Sequence, residues 1–326
     1  MLEGVVQRIE SSMPLRLNMV VLLVASHSDS ASMTLCHAVL RLGGWSEEYS
    51  SAVGNYRVHD SGLVNLLLID QIHIMADGLD MDYETSTGIE ISGILILSRH
   101  VSSSQTPAMT LHAIGIPGIL PHGEPGVSGG KNGILVPPNP LFAPLFRTMC
   151  DFAIERGLDS EFDLTMETTH HGPVLSKPTL YIEIGSTELE WGREDVADCW
   201  AASISHVLGI SNDDLTYIDE NADVMIGFGG GHYAPRHKAI ILNSNLNLGH
   251  VIANYSLTFD HPDSKEPWSS SVVAAVKSTQ ISFPNSNIFA HLDRKSFKGW
   301  QRTAIIQKLD ELGIPVRRGK EILQRE

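Results

Sequence analysis

Residues 19–44 read MVVLLVASHSDSASMTLCHAVLRLGG, and this stretch decides the fold class. Its first seven residues, 19–25, are apolar at both alternations, which is typical of a strand buried on both faces of a sheet. Asp29 can then cap a helix that we predict over residues 31–42 and that ends at Gly43-Gly44. A buried strand followed directly by a helix is the repeating unit of α/β layered proteins.

The same alternation continues along the chain. Apolar runs rich in Val, Ile and Leu predict further buried strands at residues 64–70, 93–98, 224–228 and 238–242. Helical spacing of apolar residues predicts helices at residues 140–156, 195–208, 270–280 and 296–312. We therefore predict an α/β fold with a mixed, mostly buried sheet flanked by helices.

The organisation of the chain is expected to be simple. Residues 115–140 are dense in Gly and Pro, which indicates a long ordered loop rather than a domain linker. We expect residues 19–326 to form a single domain and residues 1–18 to be an N-terminal extension. Without an apolar run of about 18 residues, we predict no membrane span. A monomer is expected.

Composition restricts the function classes. The formal net charge of -15 is unfavourable for non-specific nucleic-acid binding, which needs clustered Lys and Arg. Residues 291–326 depart from this average, with nine Lys or Arg against five Asp or Glu. The three cysteines, Cys36, Cys150 and Cys199, are far apart and odd in number, so neither a disulfide framework nor a thiolate zinc site is expected. A reducing compartment, the cytoplasm or the nucleus, fits best.

Histidines at predicted strand ends are the main functional signal. The chain has fifteen histidines, and many follow apolar runs, where α/β proteins usually build their sites. Glu183 adds a lone carboxylate to an otherwise apolar strand, which is costly unless it is paired or bound to a metal. Histidine and carboxylate side chains suit Zn²⁺, with an open position to activate water. The candidate metal ligands are His100, His170, Glu183, His232 and His291.

The segment around residues 162–171 supplies candidate catalytic groups. Its residues alternate between apolar and polar, so we predict a strand over 162–169 that places His171 on the side of Glu167 and His170 on the apolar side. His171, Glu167 and His232 are the candidate catalytic residues. The alternative is that these histidines are structural; no HExxH or comparable spacing identifies a metal site.

Two further features suggest substrate contacts. The glycine-rich turn at 227–231 could hold a phosphate or an oxyanion through the N–H groups of Gly229, Gly230 and Gly231, or it could be a tight turn that needs positive φ angles. The two interpretations are equally supported.

The basic C-terminal stretch offers phosphate contacts at Lys295 and Lys298, and Arg236 adds another. Phe297 and Trp300 are interleaved with these cations and could stack on bases. The alternative is an amphipathic helix with a solvated basic face and both aromatics in the core, and the residues alone favour it.

Five segments together resemble the D-aminoacyl-tRNA deacylases of the archaeal and plant type, and the plant members most closely. They are SRH at 98–100, ETTHHGP at 167–173, IEIGSTE at 182–188, GFGGGHYAPRH at 227–237 and AHLDRKSFKGW at 290–300. The resemblance covers residues 19–312. It implies hydrolysis of the ester between a D-amino acid and tRNA, two zinc ions per chain, and a fold akin to phosphorylases and peptidyl-tRNA hydrolases. It also implies action on N-alkylated D-aminoacyl adducts formed with aldehydes, and in plants a link to ethanol tolerance.

Two alternatives remain open at this stage. One is a peptidyl-tRNA hydrolase or another zinc amidohydrolase, and the other is a non-catalytic protein that binds tRNA or a nucleoside. The poor match of the glycine turn to nucleotide-binding patterns counts against the nucleoside version.

Overall fold

The computed structural model describes residues 20–118, 128–210, 222–261 and 267–324. In these ranges the strands are β1 (Val20–Ser26), β2 (Tyr49–Ser50), β3 (Asn55–Val58), β4 (Val64–Ile69), β5 (Ile91–Arg99), β6 (Ala108–His112), β7 (Asp163–Met166), β8 (Thr179–Gly185), β9 (Val224–Phe228), β10 (Asn247–Ile252) and β11 (Ile288–Leu292). The helices are α1 (Ser30–Arg41), α2 (Leu79–Thr87), α3 (Phe142–Glu155), α4 (Glu188–Trp191), α5 (Glu194–Leu208), α6 (Pro235–Leu242), α7 (Trp268–Ser282), α8 (Gly299–Glu311) and α9 (Gly319–Leu323).

The strands form two sheets. The larger has the order β2-β3-β4-β1-β5-β8-β6-β7, and the smaller has the order β10-β9-β11. Strands β4, β1, β5 and β8 are parallel, whereas β6 pairs antiparallel with β8 and parallel with β7. The smaller sheet is entirely parallel. The prediction of an α/β fold with a mixed sheet flanked by helices is confirmed.

The two faces of the large sheet are covered differently. Leu95, Ile182 and Ile184 point to one face and pack in a core with α1, α3 and α5. Ile94, Ile96 and Tyr181 point to the other face and pack in a smaller core with α2. This second face of the large sheet also carries the polar side chains of the candidate site.

The segment after β7 joins the two sheets. The Thr168 N–H donates to the His232 carbonyl at 2.9 Å, and the Thr169 N–H donates to the Val251 carbonyl at 2.7 Å. β7 therefore ends at Met166, three residues earlier than the predicted strand, because the following backbone bonds to the smaller sheet and to the turn after β9.

The first strand and helix agree closely with the sequence. Asp29 caps α1 by accepting a hydrogen bond from the Ser32 N–H at 3.0 Å, as predicted. The predicted strand at 238–242 is wrong, because these residues belong to α6, whose first position is Pro235. Four consecutive apolar residues, 239–242, suit a buried helix as well as a strand, and proline at the first helical position favours the helix.

The predicted N-terminal extension, residues 1–18, lies outside the described residues, as do residues 119–127 of the predicted loop. On either side of those nine residues the loop forms isolated backbone bridges, such as Gly115 with Leu135 and Ile116 with Asn132. No helix among the described residues is long and apolar enough to cross a membrane.

Candidate metal centre

Five segments of the chain bring histidine and carboxylate side chains to one place. His100 follows β5, His112 ends β6, and Glu183 lies in β8. The register of β6 against β8 sets Thr110 opposite Glu183 and His112 opposite Tyr181, so these side chains share one face of the sheet. The turns after β7 and β9 complete the cluster and contribute Glu167, His170, His171 and His232.

Glu167 is the centre of this cluster. It is fully buried, and its carboxylate oxygens lie 3.0 Å from His100 Nδ1, 3.4 Å from His170 Nε2 and 2.7 Å from His232 Nε2. None of these approaches has the direction of a hydrogen bond, so among the described residues neither oxygen has a hydrogen-bond donor. A buried carboxylate without donors is costly unless a cation neutralises it.

Glu183 connects two of the histidines. Its Oε2 lies 3.2 Å from His100 Nδ1 and its Oε1 lies 3.6 Å from His112 Nε2. Ser98 Oγ donates a hydrogen bond to Oε1 at 3.1 Å. Two buried carboxylates, Glu167 and Glu183, thus face the same group of imidazoles.

Backbone carbonyls fix which nitrogen of two rings is free. The Nδ1 atom of His112 donates to the Ala113 carbonyl at 3.1 Å, and the Nδ1 atom of His170 donates to the Thr168 carbonyl at 2.7 Å. Because Nδ1 carries the proton in both rings, each Nε2 presents its lone pair to the cluster. Histidine ligands of metals are commonly held in this way, with the second nitrogen bonded to a carbonyl or a carboxylate.

The charges of the cluster follow from burial and from the two carboxylates. Burial lowers the pKa of His100, but the carboxylates of Glu167 and Glu183 outweigh it and raise that pKa to about 11. Burial also lowers the pKa of His170 well below its usual value and that of His171 to about 3, and neighbouring imidazoles add to both shifts. His170 and His171 are therefore neutral, as metal ligation needs, whereas the carboxylates raise the pKa of His112 as they raise that of His100, so these two rings would release a proton when an ion binds.

The ligand atoms fall into groups that could each hold an ion. One group is His112, His170 and His171, and a second, which shares no residue with it, is His100, Glu167 and His232; within each, the ligand atoms lie within 4.8 Å of one another. Glu183 forms a third group with His112 and Glu167. His112 Nε2, His171 Nδ1 and both Glu167 oxygens are buried without a hydrogen-bond partner among the described residues. The donor set therefore fits one or two divalent ions of the zinc type.

A cavity of about 630 Å³ opens onto the cluster. His100, His170, His171, Glu183 and His232 form part of its lining. Its lining also includes the apolar residues Ile72, Ile74, Ile116 and Pro117 and the polar residues Arg99, Ser102, Ser103 and Ser104. This volume lies within the usual range of small-molecule sites.

A sequence profile of D-aminoacyl-tRNA deacylases matches residues 87–317, a range that contains every ligand-type residue of the cluster. The chain belongs to the D-aminoacyl-tRNA deacylase family. Membership in this family makes the chain a hydrolase, as the sequence motifs predicted.

Individual relatives agree with this assignment. A D-aminoacyl-tRNA deacylase of Arabidopsis thaliana is 37% identical over 321 residues, covering 91% of this chain and 98% of the relative. One of Methanosarcina mazei is 32% identical over 309 residues, covering 94% of each chain. The fold is similar to the crystal structure of AF0625, a conserved protein of unknown function, with a TM-score of 0.76, 28% identity, and coverage of 94% of this chain and 97% of that one.

The structure of this deacylase-family chain brings together most of the predicted site residues. His100, Glu167, His170, His171, Glu183 and His232 all lie in the cluster. The predicted pairing within the segment after β7 is reversed, however: it is His170 that lies 3.4 Å from Glu167. The alternation of a strand does not extend beyond Met166, and His171 adopts a positive φ of 27°.

His291 is not part of this cluster. It lies in β11, and its ring packs against that of His237 with centroids 5.0 Å apart. The His237 Nε2 atom donates to the His291 carbonyl at 3.3 Å. β11 belongs to the smaller sheet, and the alternation of that strand turns this imidazole toward α6 rather than toward the deacylase cavity.

Two of the three glycines that were predicted to hold a phosphate or an oxyanion, Gly229 and Gly230, instead form a tight turn. Gly229 and Gly230 have φ angles of 101° and 94°. Their N–H groups are already used, since Gly229 donates to the Ile252 carbonyl and Gly230 donates to Ser296 Oγ, each at 2.8 Å. Gly231 is exposed, and no hydrogen bond of its N–H to the described residues is seen.

The predicted phosphate contacts differ in availability. Arg236 is paired with Asp293 at 2.8 Å, which leaves less of its charge for a substrate. Lys295 and Lys298 are exposed and form no ion pair with any described residue. Phe297 is buried in the core of the smaller sheet, as the helical alternative expected, but it lies in the turn before α8, and Trp300 is half-buried and packs edge-on against Phe259.

Sequence reasoning underrated two residues of the site. His112 was noticeable only as a histidine after a short apolar segment, and nothing marked it as a partner of Glu183. Tyr233 gave no signal, yet its hydroxyl lies 2.9 Å from His100 Nε2. Both are placed by pairing between distant strands and turns, which one sequence does not display.

Proposed function

We propose that this chain hydrolyses the ester bond of D-aminoacyl-tRNA, with zinc held by the two separate ligand groups, and releases the free D-amino acid and tRNA. The observation that carries the proposal is the convergence of buried, unpartnered imidazole and carboxylate atoms at the cavity. His112, His170 and His171 would hold one ion, and His100 and Glu167 a second, with Glu183 beside both and His232 available for proton transfer. Zinc bound there supplies a Lewis acid that activates water for attack on an ester.

His232 is the residue best suited to move a proton. It is the most accessible side chain of the cluster, 37% exposed, and it lines the cavity. The carboxylate of Glu167 lies 2.7 Å from its Nε2 atom, and its negative charge would stabilise the imidazolium that forms when the ring takes a proton. In this role His232 takes the proton of the attacking water and returns it to the leaving ribose oxygen.

The ligand and proton-transfer roles can be separated by experiment. Replacing His170 by Ala should reduce both bound zinc and turnover. Replacing His232 by Ala should reduce turnover by about 100-fold or more while at least one zinc stays bound. If the His232→Ala variant retains near-normal turnover, the proton-transfer role is excluded.

The basic turn before α8 is the proposed contact for tRNA. Ser296 Oγ accepts a hydrogen bond from the Gly230 N–H, so Lys295 and Lys298 stand close to the turn that carries His232. Exposed lysines next to a cavity can bind phosphates of an acceptor stem. Arg236 can contribute only in part, because it also pairs with Asp293.

The size of the cavity extends the proposal to N-alkylated D-aminoacyl adducts formed with aldehydes. A volume of about 630 Å³ leaves room for an aminoacyl group with a small substituent on its nitrogen. Comparing release from D-tyrosyl-tRNA and from its N-ethyl derivative tests this extension. If the N-ethyl ester is not hydrolysed, the adducts are not substrates.

The primary test compares D-tyrosyl-tRNA with L-tyrosyl-tRNA. We expect selective release of the D-amino acid, because a chiral cavity lined by both apolar and polar side chains admits the two enantiomers unequally. Peptidyl-tRNA serves as a second substrate. Faster release of the peptide would replace the proposed ester specificity by that of a peptidyl-tRNA hydrolase.

A further inference from the structure

Arg99 stands at the rim of the cavity without a role in the cluster. It is the last residue of β5 and directly precedes His100, and its side chain is 40% exposed. Its guanidinium lies over the ring of Trp191, 5.3 Å from the centroid, and the Trp191 indole N–H donates to the His100 carbonyl. The cation is thus held on a rigid support beside one of the proposed ligands.

The charge of Arg99 is only weakly neutralised. The nearest carboxylate oxygen, Oδ2 of Asp29, lies 3.9 Å from its Nε atom. That carboxylate already accepts hydrogen bonds from the N–H groups of Ser32 and Arg99 and faces His73 Nε2 at 3.1 Å. No hydrogen bond from the Arg99 guanidinium to a described residue is seen. Asp29 therefore orients this cation but leaves its donor groups available.

The other side chains of the cavity make this cation distinctive. Among the described residues that line it, Arg99 is the single lysine or arginine, and Ser102, Ser103 and Ser104 also belong to the lining. The carboxylates of Asp29 and Glu183 also line the cavity. In a chain of net charge -15, Arg99 gives an anionic substrate group a cationic partner in this cavity that is separate from the proposed zinc ligands.

The proposed substrate has its anionic group in a suitable place. An aminoacyl ester has no free carboxylate, and its amino group, when protonated, is repelled by Arg99. The anion nearest to the ester is the phosphate on the 5′ side of the terminal nucleotide, and a guanidinium matches phosphate geometry with two parallel hydrogen bonds. We propose that Arg99 binds this phosphate and so directs the ester toward the cluster and the amino-acid side chain toward Ile72, Ile74 and Ile116. This assignment rests on the proposed function.

The test uses two minimal substrates that differ by one phosphate. They are adenosine carrying D-tyrosine as an ester on its ribose, and the same ester of adenosine 5′-phosphate. For Arg99→Ala, we expect kcat/KM to fall by about 10- to 100-fold with the phosphorylated substrate. With the unphosphorylated substrate, the factor by which kcat/KM falls should be smaller by about five-fold or more. Arg99→Lys keeps the charge but loses the paired hydrogen bonds, so it should recover part of the loss.

Salt dependence gives an independent measure. The slope of log(kcat/KM) against log salt for D-tyrosyl-tRNA should become shallower by about 0.7 in Arg99→Ala, the value for one phosphate contact in a single strand. Arg41→Ala is the matched control, because Arg41 is 44% exposed and ion-paired with Asp198 at the opposite end of α1 from Asp29. We expect this control to behave as the wild type with all three substrates.

The outcomes separate this assignment from the proposed function. A larger loss with the phosphorylated substrate supports the assignment. Equal losses with both minimal substrates, or no loss, would overturn the role of Arg99 while leaving ester hydrolysis established. If the wild-type chain releases tyrosine from none of the D-tyrosyl substrates, D-tyrosyl-tRNA included, the proposed function itself fails, and the assignment fails with it.

Discussion

Replacing Tyr233 by Phe is the mildest change that tests how the cluster holds a metal. The substitution removes one contact, the 2.9 Å hydrogen bond between the Tyr233 hydroxyl and His100 Nε2. When Nδ1 of His100 binds an ion, the remaining ring proton is on Nε2, which donates it to this hydroxyl. A hydrogen bond of this kind contributes about 0.5–1.5 kcal/mol, and a buried donor left unpaired costs about 1–3 kcal/mol. We therefore expect zinc affinity to fall by about 10- to 100-fold, or about 1.4–2.7 kcal/mol.

The assay is competition for zinc between the protein and a chelator of known affinity, followed by kcat/KM for D-tyrosyl-tRNA on the zinc-loaded protein. Tyr255→Phe is the matched control, because Tyr255 lines the same cavity and its hydroxyl lies 3.5 Å from Thr168 Oγ1. We expect its zinc affinity to change by less than about three-fold. If Tyr233→Phe binds zinc as tightly as the wild type, the reasoning that His100 is an oriented ligand is refuted.

Three further predictions concern stability and substrate binding. Gly229→Ala should lower the free energy of unfolding by about 2–4 kcal/mol, because φ is 101° and the new Cβ would lie 2.9 Å from Phe297. Gly231→Ala should lower it by less than about 1 kcal/mol, because its Cβ meets open space. Equal losses for the two variants in urea denaturation would contradict the turn assignment. Burial lowers the pKa of His250 to about 3, so the unfolded chain binds more protons below pH 6.5 and stability is lost as the pH falls from there toward 3. Because of His250, the free energy of unfolding should fall by about 2 kcal/mol between pH 7 and pH 5. If a His250→Gln variant shows the same pH dependence of stability as the wild type, this contribution of His250 is excluded. Replacing Lys295 and Lys298 together by Glu should lower kcat/KM for D-tyrosyl-tRNA by about 10- to 100-fold at low salt, with a loss that shrinks as salt rises; a loss independent of salt would point away from phosphate contacts.

The elements of the fold were predictable where one local signal was sufficient. The continuous apolar run of β1, the Asp29 cap and the glycine pair after α1 each specify their structure without help from distant residues. The apolar run in α6 shows the limit, because four apolar residues fit a buried helix and a buried strand equally well. The antiparallel insertion of β6 between β8 and β7 depends on pairings between segments far apart in sequence, which no local pattern encodes.

The site was predictable as a set of residue types but not as a geometry. Histidines after apolar runs indicated His100, His170 and His232, since strand ends are where such sites form. His291 has the same local signal, yet it lies in the smaller sheet and packs on His237. The difference comes from which sheet a strand joins. The roles of His112 and Tyr233 are likewise set by cross-strand neighbours, and the reversed positions of His170 and His171 come from the backbone turn after Met166.

The central claim is that the histidine and glutamate cluster is a zinc centre that hydrolyses D-aminoacyl esters. It is tested most directly by measuring release of tyrosine from D-tyrosyl-tRNA and bound zinc per chain, before chelation, after chelation and after zinc is returned. We expect release to fall with the bound zinc and to recover with it in the wild type, and to stay low in a His112→Ala, His170→Ala double variant at the same zinc concentration. Release that continues unchanged in the metal-free protein, or a double variant that recovers fully, would contradict the claim.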